Sequence, residues 1–254
     1  MPTSPRRGLR STSSTPAVPS GDSTVSPSGV VKRVAPSSGT PASETARTIA
    51  PRAVVARAGL YLRQLDAFKG QGVHTVSSRQ LGEALNLGDA QVRKDLAWFG
   101  QFGHPGVGYD VIDLAESLRA ALGLDRVWPV ALVGVGNLGR ALLRDRGFSQ
   151  RGFQVECVFD KDPRLVGQRC EGFLVEPVER LAELLAARRI VLVVLCVPAD
   201  QAQAVAHRAV EGGAKGILNF APVALSLPPG VDVVPVDLSI HLERLAYHAH
   251  HAGR

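Results

Sequence analysis

The chain has 254 residues, 45% of them hydrophobic and 20% charged, with a formal net charge of +6. This is the length of one large domain or two small ones at ordinary globular composition, which excludes wholesale disorder. The longest apolar run, Ile190 to Val197, is eight residues, against the ~20 that a membrane-spanning helix needs.

The first 49 residues carry six basic and two acidic groups, and 28 of the first 45 are Ser, Thr, Pro or Gly. Such a segment lacks the apolar surface to offset its ordering entropy, so residues 1–49 read as a disordered tail. From residue 50 the character changes. Val54, Val55, Ala58, Leu62 and Leu65 recur at helical spacing and predict a first helix that ends at Gly70 to Gly72. Ser77 and Ser78 offer an N-cap for a second helix through Leu85, with Leu81, Ala84 and Leu85 inward. After a turn at Asn86 to Gly88, Asp89 is expected to cap a third helix reaching about Phe99, with Val92, Leu96 and Phe99 inward. Two short helices joined by a tight Gly-containing turn form a helix-turn-helix signature. The glycine-rich stretch from Gly100 to Tyr109 reads as a hairpin or wing, and a fourth helix follows from Val111 to Leu122.

Residues 127–254 alternate strand and helix. Strands are expected at Val130 to Val133, Gln154 to Phe159, Ile190 to Val197, Gly216 to Asn219 and Val231 to Val234. Helices are expected at Leu138 to Arg146, Val178 to Ala187 and Ala199 to Glu211. This alternation with apolar strands predicts a parallel sheet covered on both faces. A last helix after Asp237 places Leu238, Leu242 and Leu245 on one stripe.

Two segments carry chemistry. Gly134, Gly136 and Gly139 form GxGxxG between a strand and a helix. The first glycine permits the tight turn, the second lets a pyrophosphate approach the backbone, and the third lets helix and sheet pack closely. The helix N-terminus then offers free N–H groups to phosphate. Asp160 ends the next strand, 21 residues past Gly139, where an acid can bond the ribose hydroxyls and disfavour a 2′-phosphate. The second segment is Gln91, Val92, Arg93, Lys94, Asp95 and Leu96. Val92 and Leu96 supply a buried face, while Arg93 and Lys94 supply cations for phosphates or guanine edges. By spacing alone the same residues also fit a solvated charged face on an ordinary core helix.

The residues around Val92 to Leu96, Phe99 to Gly103 and Gly106 to Tyr109 resemble the DNA-binding half of the redox-sensing transcriptional repressor family Rex. Gly134 to Gly139, Phe159 to Pro163, Val197 to Ala199 and Leu218 to Pro222 resemble its NAD-binding half, in the same order. The resemblance covers about residues 50–247. It implies an α/β homodimer. A winged helix-turn-helix domain would occupy residues 50–126, a Rossmann-type parallel-sheet domain 127–236, and a swapped C-terminal dimerisation helix with the chain end 237–254. It implies a repressor that binds palindromic operator DNA when NADH is scarce and releases it when NADH binds. The implied DNA-contacting set is Ser77, Ser78, Gln91, Arg93, Lys94, Gly106 and Tyr109. The implied nucleotide set is Gly134, Val135, Gly136, Asn137, Leu138, Gly139, Asp160, Val197, Pro198, Asn219 and Phe220. Arg63, Asp145 and Asp237 are implied in signalling or dimer contact. Six residues past Gly139 the family often carries a tyrosine near the nicotinamide, and this chain has Asp145.

Two other function classes fit parts of the pattern: an NAD-dependent oxidoreductase with an appended helical domain, and a CoA-binding module. Against the first, no His, Lys or Tyr in 127–254 stands in a motif for proton transfer to a substrate. Against the second, Asp160 would meet the 3′-phosphate of CoA. The three cysteines, Cys157, Cys170 and Cys196, are odd in number and lack CxxC spacing, so neither a disulfide framework nor a zinc site is expected. Cys157 and Cys196 read as buried strand residues, and His248, His250 and His251 as a solvated chain end. With no charged-then-apolar leader at the start, a reducing cytoplasm is the expected compartment.

Overall fold

The structure is a computed structural model that describes residues 49–103 and 106–252. The tail expected over 1–49 lies outside the described residues except for Ile49.

The first part is helical. α1 (Arg52–Gly70) buries Val54, Ala58, Tyr61, Leu62 and Leu65 on one stripe. β1 (Thr75–Val76) leads into α2 (Ser78–Leu85). There Ser77 accepts from the Gln80 N–H at 3.1 Å and the Gln80 side chain accepts from the Ser77 N–H at 2.9 Å, a reciprocal cap. Ala84 is exposed, contrary to the expected inner face, and Gly82 takes the buried place because a Cβ there would lie 2.5 Å from the Leu87 carbonyl oxygen. α3 (Asp89–Leu96) also differs from expectation. Gly88, not Asp89, is the N-cap, and the helix stops three residues early, at Leu96. The segment after it bonds back to Asp95 and Leu96 carbonyls as a turn. β2 (Tyr109–Asp110) pairs antiparallel with β1, placing Tyr109 opposite Val76 as the base of a wing. Gly103 and Gly108 have φ of +71° and +91°, and a Cβ on either would strike backbone oxygen, so only glycine fits this hairpin. α4 (Val111–Ala121) is capped by Asp110 and closes the helical core through Leu114 and Leu118.

The second part is a sheet. β3 (Trp128–Val133) is followed by α5 (Asn137–Arg144), the short α6 (Gly147–Gln150) and β4 (Phe153–Asp160). The helix expected to run to Arg146 breaks at Asp145, whose backbone turns extended. β5 (Arg169–Cys170) and β6 (Phe173–Pro177) come next, then a 3-10 turn, α7 (Leu181–Arg188), β7 (Leu192–Leu195), α8 (Ala199–Glu211), β8 (Gly216–Asn219), β9 (Asp232–Pro235) and α9 (Leu238–His251). The strand order is β5-β6-β4-β3-β7-β8-β9, parallel except for β5 at the edge. The six parallel strands run 3-2-1-4-5-6 in chain order, the doubly wound arrangement that places a crevice at the carboxyl ends of β3 and β7. β5 and β6 were not expected from the sequence.

Both faces of β3 are buried. Ala131 and Val133 pack with Phe159, Leu185 and Leu195 on the α7–α8 side, and Val130 and Leu132 pack with Val158 and Val194 on the other. The second face is covered by α5 only in part. An open apolar groove of about 460 Å3 runs over Val130, Phe148, Phe153, Val194 and Leu218, with Arg63 at its side. α9 buries none of its residues, and Leu238, Ile240, Leu242 and Leu245 are all exposed. An ion pair from Arg52 to Asp232, 2.6 Å, ties the start of α1 to β9. Among the described residues no helix is long and apolar enough to cross a membrane.

Candidate functional site: a nucleotide cleft and a DNA-facing helix

The crevice at the switch point is a cleft of about 740 Å3. Gly134, Val135, Gly136, Asn137, Leu138, Asp160, Val197, Pro198 and Phe220 all line it, so residues scattered over 87 positions converge. Gly134 has φ +100°, and a Cβ there would lie 2.5 Å from the Cys196 carbonyl oxygen. Gly139 does not line the cleft. It is buried beneath the loop, where a Cβ would come within 1.9 Å of the Gly134 oxygen. A Cβ on Gly136 meets nothing within 4 Å, so the loop is open on the side where a phosphate would lie. The first-turn N–H groups of α5 face that opening without intrahelical acceptors. The loop therefore fits a dinucleotide pyrophosphate.

Asp160 has a second task that its position in sequence did not suggest. One carboxylate oxygen accepts from the Val135 N–H at 2.6 Å and the other from the Asp162 N–H at 2.9 Å. It thus stitches the glycine loop to the β4 turn and keeps further lone pairs for a ribose diol. Arg140 braces the loop from below, donating from Nε to the Val135 oxygen at 3.1 Å. Asp162 is paired with Arg164 at 2.7 Å, which holds its carboxyl down at about 2.

Asn219 is also outside the cleft lining. It is 1% exposed, and its amide is spent on the turn that follows β8. It accepts from the Ala221 N–H at 3.0 Å and donates to the Ala221 and Val223 oxygens at 3.1 and 2.9 Å. Cys196 lies one residue past β7, half-buried in the cleft floor and not in the strand interior as expected. Burial pushes its thiol up to about 12.

On the helical part, Ser77, Ser78, Arg93, Gly106 and Tyr109 line one shallow depression between α2, α3 and the wing. Arg93 is half-exposed and held by Asp89 at 2.7 Å and the Ser78 hydroxyl at 3.1 Å. Lys94 is exposed beside it. Gln91 departs from its expected outward role, because its amide donates to Asp95 at 2.7 Å. Asp95 itself is 1% exposed and accepts from Arg57 at 2.5 and 2.8 Å and from the Tyr61 hydroxyl at 2.7 Å. The Arg57 guanidinium holds the Asp95 carboxyl below its usual range, and burial together with this carboxylate raises the Tyr61 phenol. The sequence carried a signal for this network. Positions 92, 95, 96 and 99 share one helical face, so the apolar stripe itself turns Asp95 inward.

The three residues expected in signalling are not brought together. Arg63 borders the apolar groove, and Asp145 is exposed at the end of α5 and lines neither that groove nor the cleft. Asp237 caps α9, accepting from the Ser239 N–H and hydroxyl at 2.9 and 2.6 Å.

A family model described as a CoA binding domain matches residues 125–223, and one described as a putative DNA-binding protein N-terminus matches residues 50–97. The redox-sensing transcriptional repressor Rex of Desulfitobacterium hafniense is 43% identical over 197 residues, covering 78% of this chain and 94% of that one. The Rex of Streptomyces avermitilis is 44% identical over 198 residues, covering 78% and 79%. Among solved structures, the Rex-family repressor RSP in complex with beta-NAD+ and operator DNA superposes with a TM-score of 0.76. It is 36% identical, and the match covers 81% of this chain and 95% of that chain. RSP in complex with beta-NADH gives 0.74 at 35% identity, covering 81% and 97%. A winged helix-turn-helix carried on a Rossmann nucleotide domain is the build of a ligand-responsive transcriptional regulator. The chain belongs to the Rex family of redox-sensing transcriptional repressors. Membership removes the oxidoreductase alternative, since this is a family of transcriptional repressors.

Proposed function

We propose that this chain represses transcription by binding operator DNA through α3 and the wing, and that NADH in the switch-point cleft releases it. The observation that carries this reading is the convergence of Gly134 to Leu138, Asp160, Val197, Pro198 and Phe220 on one cleft, in a chain that also presents Arg93 beside Ser78 on a helix-turn-helix. Arg93 and Lys94 hold the duplex, Ser77, Ser78, Gly106 and Tyr109 seat the backbone, and Asp160 selects NAD(H) over its 2′-phosphorylated form. The oxidised nicotinamide carries a positive ring charge that the reduced ring lacks. The β7–β8 side of the cleft is lined by Val197, Pro198 and Phe220, with Asp200 and Gln201 at the start of α8. An unpaired cation is costly against the three apolar side chains, so Val197, Pro198 and Phe220 favour NADH.

The protein acts as a homodimer in the cytoplasm. The open apolar groove and the uncovered stripe of α9 are complementary needs, and the α9 of a second copy satisfies both. Asp237 sets the start of that helix, and Arg63 borders the groove it enters. Each ligand shifts the dimer only by its differential affinity for the two states, so a tenfold loss of operator affinity requires about 1.4 kcal/mol of coupling.

The test is operator binding measured by mobility shift across a range of NADH/NAD+ ratios, with CoA as a third arm. Release that tracks NADH, is opposed by NAD+ and ignores CoA is expected. Release by CoA alone, or binding indifferent to all three, contradicts the reading.

A further inference from the structure

Phe220 enters the cleft from the end opposite Asp160. The sheet order places Asp160 after β4, the glycine loop after β3, Cys196 to Pro198 after β7 and Phe220 after β8. A dinucleotide whose adenosine ribose meets Asp160 therefore lays its other half toward Phe220. Resting on the nucleotide reading above, the question is what fixes Phe220 there, because the segment from 220 to 231 has no helix or strand to stiffen it.

Two amides do so. Asn219 makes three hydrogen bonds across the turn immediately after Phe220, and all go to backbone atoms of Ala221 and Val223. Gln203, on α8, grips the far side of the same segment. Its Nε2 donates to the Ser226 oxygen at 2.8 Å, and its Oε1 accepts from the Ser226 N–H at 2.9 Å. Neither side chain lines the cleft. The Phe220 ring also packs at the edge of the core cluster around Val130, Leu132 and Val194, and its N–H is held by the Leu195 oxygen at 3.0 Å. The aromatic ring thus stands at the start of a loop held beside it by Asn219 and again at Ser226 by Gln203 of α8.

We infer that Gln203 and Asn219 are positioning residues for nicotinamide discrimination: they touch no part of the nucleotide, but hold Phe220 as a fixed wall at the ring end of the cleft. The wall's distance from the ring decides how dry that end is, and hence how strongly a charged ring is disfavoured relative to a neutral one. A loosened wall admits water and lets the two redox forms bind more equally.

The test compares full-length wild type with Gln203→Ala and Phe220→Leu, each checked for an unchanged melting curve. Dissociation constants are measured for NADH, NAD+ and ADP-ribose, the last lacking the nicotinamide. Gln203→Ala removes a paired amide contact, and NADH is expected to bind roughly threefold to tenfold more weakly, the span of about one net hydrogen bond. NAD+ is expected to change less and ADP-ribose not at all, with bound NADH emitting at a longer wavelength as its ring becomes wetter. Gln203→Glu, which retains the acceptor for the Ser226 N–H, restores part of the preference. Equal weakening of all three ligands marks a merely structural role and overturns the inference, as does an unchanged NADH to NAD+ ratio. Failure of the nucleotide reading has a different signature, namely wild-type protein that binds none of the three.

Discussion

At Asp95 a carboxylate with almost no solvent contact accepts from Arg57, Tyr61 and Gln91, and so bolts α3 to α1. Its folded-state proton affinity is lowered, chiefly by the hydrogen bond from Arg57. The stability it contributes is therefore present in full above the ordinary aspartate range near ~4 and is lost as pH falls through the lower folded value. Asp95→Ala leaves Arg57 and Tyr61 facing a hole, and is expected to cost about 3 kcal/mol, the lower end for breaking a buried pair because Arg57 is partly exposed. Thermal melts of wild type and Asp95→Asn should lie well apart at pH 7 and converge below the carboxylate range. A separation that does not change with pH would contradict the linkage. The residue hid in plain view, since a charged side chain flanked by Arg93 and Lys94 reads as surface until helical phase is counted.

At the scale of elements, α3 divides its labour between faces. Val92, Asp95 and Leu96 point in, and Arg93 and Lys94 remain outside with the wing alongside. Arg93→Ala is expected to lower operator affinity by about 1–3 kcal/mol and relax sequence preference, while Lys94→Ala should weaken all DNA alike and reduce the salt slope by about 1 per site. Titrations at several salt concentrations separate the two, and an unaltered operator affinity in Arg93→Ala would remove α3 as the reading helix. The helix-turn-helix and the β3–α5 turn were legible because their signals are local: a capping serine at 77 or 78, and three glycines at fixed offsets. The β5–β6 hairpin was not. Its strands have two and five residues, and it turns through Glu171 and Gly172 at φ +51° and +91°, a conformation a glutamate rarely signals. The break at Asp145 was equally silent, since Arg144 to Gly147 carries no proline and no regular apolar period.

For the whole molecule, the uncovered stripe of α9 and the open groove on the sheet are two apolar surfaces that one chain leaves facing water. A chain ending at Val236 is expected to sediment as a monomer and to lose tight binding to a two-half-site operator, because a single half-site supplies only half the contacts. Persistence of the dimer in that truncation would sink the assignment of α9. The pairing was visible in sequence only as the stripe Leu238, Leu242 and Leu245, whereas the groove was not, because its lining comes from five strands and two helices that only the folded sheet brings together. The convergence on the cleft was likewise foreseeable motif by motif, and so was the packing role of Gly139, but the withdrawal of Asn219 from the cleft surface was not, because depth is a property of packing.

The thiol of Cys196 lies in the floor of that cleft with its proton held until about pH 12. Burial therefore disfavours the thiolate form that peroxide attacks. Oxidative stress and a shortage of reduced nicotinamide are different alarms, and a floor built this way answers to only one of them. Peroxide should leave operator occupancy unchanged so far as Cys196 is concerned, and a burst of respiration should not.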